Sequence, residues 1–147
     1  MKIAVIDGQG GGIGKALVEK LRMEFGNDVE ITALGTNALA TSLMLRAGAD
    51  DGASGENAII YNAGRVDVIL GPIGIIAADS MLGELTPLMA KAIAQSTAKK
   101  ILIPMNRCNI QVSGVKTAAL PQYVDEAVAL VGELTGNRSG KGPGKVG

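Results

Sequence analysis

The chain opens with an unbroken aliphatic run, Ile3-Ala4-Val5-Ile6, that stops at Asp7 and a cluster of glycines. A short apolar run without alternation predicts a strand buried on both faces, as in a parallel sheet. Beyond the glycines, Ile13, Ala16, Leu17, Leu21 and Phe25 recur at helical spacing, and Gly26 supplies the stop. Residues 29–34 predict a second strand, made more amphipathic by Glu30 and Thr32. Gly35-Thr36-Asn37 then offers an N-cap for a helix that runs to Ala47 and is closed by Gly48. Ser54 can cap a further short helix, through Tyr61 to Ala63, before Gly64. Residues 66–70 predict the third strand, ended by Gly71-Pro72-Ile73-Gly74. A helical region in two parts follows, the second with Thr86 as cap and Pro87 at the first helical position, reaching about Ala98. Residues 101–104 predict a fourth strand, and 110–115 a fifth that can pair antiparallel at the sheet edge. Pro121 begins the last helix, with Val124, Val128, Val131 and Leu134 on one face. The expected domain is 1–135, and residues 136–147, rich in Gly, Ser, Pro, Lys and Arg, read as a mobile basic tail carrying Lys141 and Lys145.

Strands alternating with helices predict an α/β fold: a three-layer sandwich with a mostly parallel sheet of four or five strands, right-handed crossovers and helices on both faces. In such sheets ligands bind beyond the carboxyl ends of the strands, at the point where strand order reverses. The unusual residues gather at those ends. Strand one ends at Asp7-Gly8, strand two at Gly35-Thr36-Asn37, strand three at Gly71-Pro72-Ile73-Gly74, and strand four at Asn106-Arg107-Cys108. Four polar or glycine-rich loops should therefore face one crevice.

Composition narrows the chemistry. With 47% hydrophobic residues but only 2% aromatics, the core must be built from Ile, Val, Leu, Ala and Met. Fourteen basic and fourteen acidic residues cancel, so no global field favours a nucleic acid or an anionic membrane. One Phe and two Tyr offer no stacking platform for single-stranded nucleic acid. The chain has no His, which removes the commonest metal ligand and general base, and no metal is expected. Its single Cys108 cannot form an internal disulfide. The aliphatic opening is too short for a signal peptide, and no apolar run reaches the ~20 residues of a membrane helix, so a cytoplasmic location is expected.

The loop Asp7-Gly8-Gln9-Gly10-Gly11-Gly12-Ile13-Gly14-Lys15 sits where a phosphate cradle belongs, between a buried strand and a helix start. Glycine lets bare N–H groups approach an anion, and the helix N-terminus adds unpaired donors and a partial positive charge. Gly8, Gly12 and Gly14 form G-x-x-x-G-I-G, which resembles the cofactor turn of short-chain dehydrogenases/reductases and implies NAD(P). That resemblance covers about the first twenty residues; at the spacing of the family's Tyr-x-x-x-Lys pair, Tyr61 is followed by Arg65, and Thr36 and Asn37 stand where an acid would grip a ribose. Gly11-Gly12-Ile13-Gly14-Lys15 also resembles the deviant Walker A loop of MinD-type ATPases, which implies a phosphate contact for Lys15, although Ala16 has no oxygen for a metal. The runs DGQGGGIGK, LGTNA, GENAI, GPIGI, MLGE-TP and ILIP-NRC, spread from Met1 to about Leu134, are together similar to a family of short bacterial proteins of unknown function with a predicted Rossmann-like fold. This resemblance implies the fold and the grouping of the loops, and it brings no activity.

Several residues carry two readings. Asp7 can hold a ribose hydroxyl, a metal-bound water or an amide of its own loop. Thr36 and Asn37 are ordinary capping residues that can also present amides to an anion. Arg107 can clamp a phosphate or carboxylate, or lie solvated. Cys108 is a candidate nucleophile beside Asp7 as the other weak catalytic candidate, or a small apolar filler. Asp79 and Glu84 have poor spacing for a carboxylate pair, and Glu56 suits a helix start. Met81, Leu82, Leu85, Leu88 and Met89 fit either a homo-oligomer interface or burial within the monomer. The leading expectation is a module that binds a nucleotide, dinucleotide or other phosphate-bearing ligand. The alternatives are a small NAD(P)-dependent oxidoreductase or phosphotransfer enzyme using Asp7, Lys15, Arg107 and Cys108, and a non-catalytic assembly subunit whose glycine turn is structural.

Overall fold

In the computed structural model, which describes residues 1–105 and 109–138, five strands form one parallel sheet. They are β1 (Lys2–Asp7), β2 (Glu30–Gly35), β3 (Asp51–Ser54), β4 (Val68–Pro72) and β5 (Lys99–Ile103), in the spatial order β3-β2-β1-β4-β5. Five helices connect or cover them: α1 (Gly12–Phe25), α2 (Ala38–Arg46), α3 (Glu56–Ala63), α4 (Pro87–Gln95) and α5 (Leu120–Arg138). This is a doubly wound, Rossmann-like arrangement, with the order reversing between β1 and β4.

Alternate residues of β1 feed the two halves of the core. Ile3 and Val5 pack with Leu17, Val18 and Leu21 of α1, Met44 of α2 and Val124, Val128 and Val131 of α5. Ala4 and Ile6 point the other way, toward Ile59 of α3 and Met89 and Ile93 of α4. The central strands are buried on both faces, which explains their continuous aliphatic pattern. Asn37 caps α2 by accepting from the Ala40 amide, and Thr86 caps α4 through the Met89 amide, as the sequence predicts.

Several elements depart from expectation. The fifth strand is β3, not 110–115; those residues form a turn and irregular chain outside the sheet. The chain that follows them is held by the Tyr123 hydroxyl, which accepts from the Ala118 amide and donates to the Lys116 carbonyl. Asp-Gly-Ala-Ser carries no aliphatic signal because β3 is an edge strand, largely exposed and held by its backbone ladder to β2. Ser54 belongs to that strand, and Gly55, at φ 98°, turns the chain into α3 in its place. The first part of the region after β4 is a single 3-10 turn, Ile73–Ile76, followed by turns, and α4 ends at Gln95 rather than near Ala98. Helix α5 runs through Gly136 to Arg138, and residues 139–147 of the anticipated tail lie outside the described residues. Among the described residues no helix is long and apolar enough to cross a membrane.

Candidate functional site

The reversal of strand order brings the ends of β1 and β4 together, and the glycine loop crosses the crevice above them. Its amides divide into two sets. The Asp7 side chain is only 4% exposed, and its carboxylate lies under the start of α1. Asp7 Oδ1 accepts from the Gly8 amide at 2.7 Å and Oδ2 from the Gly14 amide at 2.6 Å. The Ile13 amide also faces this carboxylate. The Gly11 amide closes a turn onto the Gly8 carbonyl, and the Gln9 amide donates to Glu84 Oε1 at 2.8 Å. The amides of Gly10 and Gly12 have no partner among the described residues. Of the cradle expected along 8–15, four amides are thus already taken by the carboxylates of Asp7 and Glu84 and two by backbone carbonyls. Two donors remain.

The glycines divide along the same line. A Cβ on Gly8 would meet Thr36 Oγ1 at 2.4 Å, and one on Gly14 would meet Met44 Sδ at 2.6 Å, so both are needed for packing. Gly11 holds a φ of 75° against Ala40. At Gly10 and Gly12 a Cβ would touch nothing within 4 Å, and neither has a positive φ. Nothing among the described residues requires glycine at these two positions.

They line a cavity of about 410 Å³, shared with Asp7, Gly8, Gln9, Gly11 and Ile13 on the loop side. The opposite wall comes from Pro72, Gly74, Ser80, Met81, Met105 and Leu120. Ile13, Pro72, Met81, Met105 and Leu120 make it apolar, while the loop supplies the polar rim. This size and mixture suit a small organic ligand held by a few polar groups. No Lys or Arg lines it among the described residues.

Other sequence candidates fall elsewhere. Lys15 faces outward from α1, its side chain 51% exposed and 3.9 Å from Glu19. Gly35 packs on Thr41, and Gly71 lies against the Ile6 carbonyl, close approaches that leave no room for a side chain. Neither lines the cavity, nor does Ile73. Asn106, Arg107 and Cys108 lie outside the described residues, immediately after the cavity-lining Met105. Thr36 and Asn37 are brought to the loop, but their side chains are engaged by Glu84: Oε1 accepts from Thr36 Oγ1 at 2.6 Å and from Asn37 Nδ2 at 2.9 Å. The sequence pattern shows nothing of this role for Glu84, or of the cavity contacts of Ser80, Met105 and Leu120. Leu85 and Met89 are buried within the monomer, whereas Leu82 and Leu88 are exposed.

The two carboxylates differ in electrostatics. Burial pushes the Asp7 carboxyl above its ordinary value, outweighing the amide bonds that lower it, and the charge of Glu84 adds to the rise. Glu84 is held below its ordinary value by the Thr36 hydroxyl first, then by the Gln9 amide and the Asn37 carboxamide. At neutral pH the crevice thus holds an ionised Glu84 close to a buried acid.

A family profile described as a domain of unknown function (DUF3842) matches residues 2–136. The chain belongs to the DUF3842 family. No curated protein matches it. Among solved structures, a dodecameric FMN-dependent UbiX-like decarboxylase from Escherichia coli O157:H7 has a TM-score of 0.44 at 20% identity, covering 90% of this chain and 76% of that one. A short-chain dehydrogenase/reductase from Saccharomyces cerevisiae has a TM-score of 0.43 at 13% identity, covering 97% of this chain and 66% of its own. In this DUF3842 chain the loops Asp7–Gly11, Gly35–Asn37 and Gly71–Pro72 stand at the carboxyl ends of β1, β2 and β4.

Proposed function

We propose that this chain is a binding module for a phosphate-bearing molecule of nucleotide size, seated in the cavity above β1 and β4. The observation that carries the reading is the coincidence at Gly10 and Gly12. Among the described residues both glycines lack a steric reason and both amides lack a partner, and both open onto the cavity. Bare backbone that the fold does not need is explained by the close approach of an anion. A single phosphate would take these two amides, and the apolar wall of Met81, Met105 and Leu120 would cover the organic part. With Glu84 on Thr36 and Asn37, the cavity as it stands offers a single phosphate position.

Thermal melting with AMP, FMN, ATP, GTP, NAD, NADP, FAD and sugar phosphates tests the proposal, because a ligand of the native state raises the midpoint by mass action. At least one phosphate-bearing compound should raise it, and Gly12→Val should fold yet lose that shift. A Gly12→Val protein that responds like the wild type would remove the loop from the site. Silence across the panel would favour a structural turn in an assembly subunit.

A further inference from the structure

Three donors from two loops converge on one oxygen of Glu84: the Gln9 amide, the Thr36 hydroxyl and the Asn37 carboxamide, at 2.6 to 2.9 Å. A phosphate oxygen makes the same demand on its neighbours as this carboxylate oxygen does. Gln9 directly precedes Gly10, so these donors continue the line of the free amides toward β2. We infer that Gln9, Thr36 and Asn37 form a second anion subsite, held by Glu84 in the closed protein and taken by the second phosphate of a diphosphate-bearing ligand. The inference rests on the cavity being the ligand site.

The turn that delivers Glu84 is built to release it. Asp79, Met81 and Leu82 have φ of 64°, 57° and 55°, and Gly83 has 88°. Three non-glycine residues in the left-handed region within four positions make a strained backbone. Leu82, at its tip, is 97% exposed and packs on nothing that would hold the turn down. The base of the turn is secured separately, by the Asp79 amide on the Leu85 carbonyl and the Ser80 hydroxyl on the Gly74 carbonyl, with Leu85 fully buried. Met81 packs against the core and walls the cavity, so residues 82–84 can swing while 79, 80, 81 and 85 stay anchored. Charge favours that exchange, because a second phosphate at Gln9, Thr36 and Asn37 meets the negative Glu84 until the turn moves away.

Titration of the ¹⁵N-labelled full chain with orthophosphate and with pyrophosphate, followed by amide shifts and calorimetry, tests the exchange. Pyrophosphate should move the Gln9 amide and the Asn37 side-chain signals together with Gly10 and Gly12, and Glu84→Ala should bind it at least tenfold more tightly than the wild type. Orthophosphate affinity should change by less than threefold. Thr36→Val placed on Glu84→Ala should abolish the gain. If Glu84→Ala gives no folded spectrum, Glu84→Gln, which keeps an acceptor and loses the charge, is held to the same tenfold criterion. An unchanged or weaker pyrophosphate affinity, or Gln9 and Asn37 signals that do not move, overturns the second subsite. Failure of the cavity reading looks different: neither probe would then move Gly10 or Gly12, whatever happens at Gln9 and Asn37.

Discussion

Asp7 and Glu84 both accept backbone and side-chain donors of the crevice, yet they respond to pH in opposite directions. The native Asp7 pKa lies above the ordinary 3.8, chiefly because burial removes water from the charge. Its contribution to stability is complete below that unfolded value and is lost as pH rises through the raised native value. Glu84, lowered from 4.5 by the Thr36 hydroxyl, contributes in full above its unfolded value and loses that contribution as pH falls through the native one. Asp7→Ala should expose this sign. It leaves the Gly8 and Gly14 amides without acceptors, which costs about 1–3 kcal/mol for an unsatisfied buried group. That cost should be greatest in acid and shrink toward neutrality, where the wild type carries an unfavourable buried charge. Urea midpoints measured from pH 3 to 7 on both proteins check it, and a cost that grows with pH would contradict the burial argument.

Helix α1 shows how a single turn separates glycines used by the fold from glycines left for a ligand. Gly12→Ala places a methyl in open space at the first helical residue, so stability should hold or rise by up to about 1 kcal/mol as the unfolded chain loses freedom. Gly14→Ala drives its methyl to 2.6 Å from Met44 Sδ and 2.9 Å from Asp7 Cβ, and should cost roughly 1–3 kcal/mol by overpacking. Equilibrium denaturation of the two variants decides the matter, and equal costs would mean that the loop is uniformly packed. The sequence made much of this element legible, since its strand, helix period and glycine stop are local signals. The edge strand Asp51–Ser54 was not legible, because pairing there depends on the backbone and its side chains record almost no burial. The aliphatic residues Val112 and Val115 misled for the converse reason: they are apolar yet exposed, and sit on an irregular segment outside the sheet. Nor could Glu84 be connected to the loop from spacing, since its partners lie 75 and 48 residues away.

The parallel sheet also separates the molecule into two ends with different duties. At the amino ends of the strands, Arg22 donates to the carbonyls of Gly48, Gly26 and Val29 and pairs with Asp50 at 2.8 Å. Asp50 in turn accepts from the Ile31 amide at 2.8 Å, so one guanidinium ties α1 to the approaches of β2 and β3. Arg22→Ala removes its bonds to Gly48, Gly26, Val29 and Asp50 and leaves carbonyls to find other partners, for an expected loss of roughly 1–3 kcal/mol. The crevice lies at the other end, about 16 Å away along a strand of five rises. Substitutions that far apart, with no shared partner, add rather than couple. Arg22→Ala should therefore lower the denaturation midpoint while leaving ligand-induced stabilisation unchanged, and its cost should add to that of Gly12→Val within about 0.5 kcal/mol. A weakened ligand response in Arg22→Ala would show instead that the glycine loop takes its shape from the far end of α1, and that the binding face and the stabilising face are one cooperative unit.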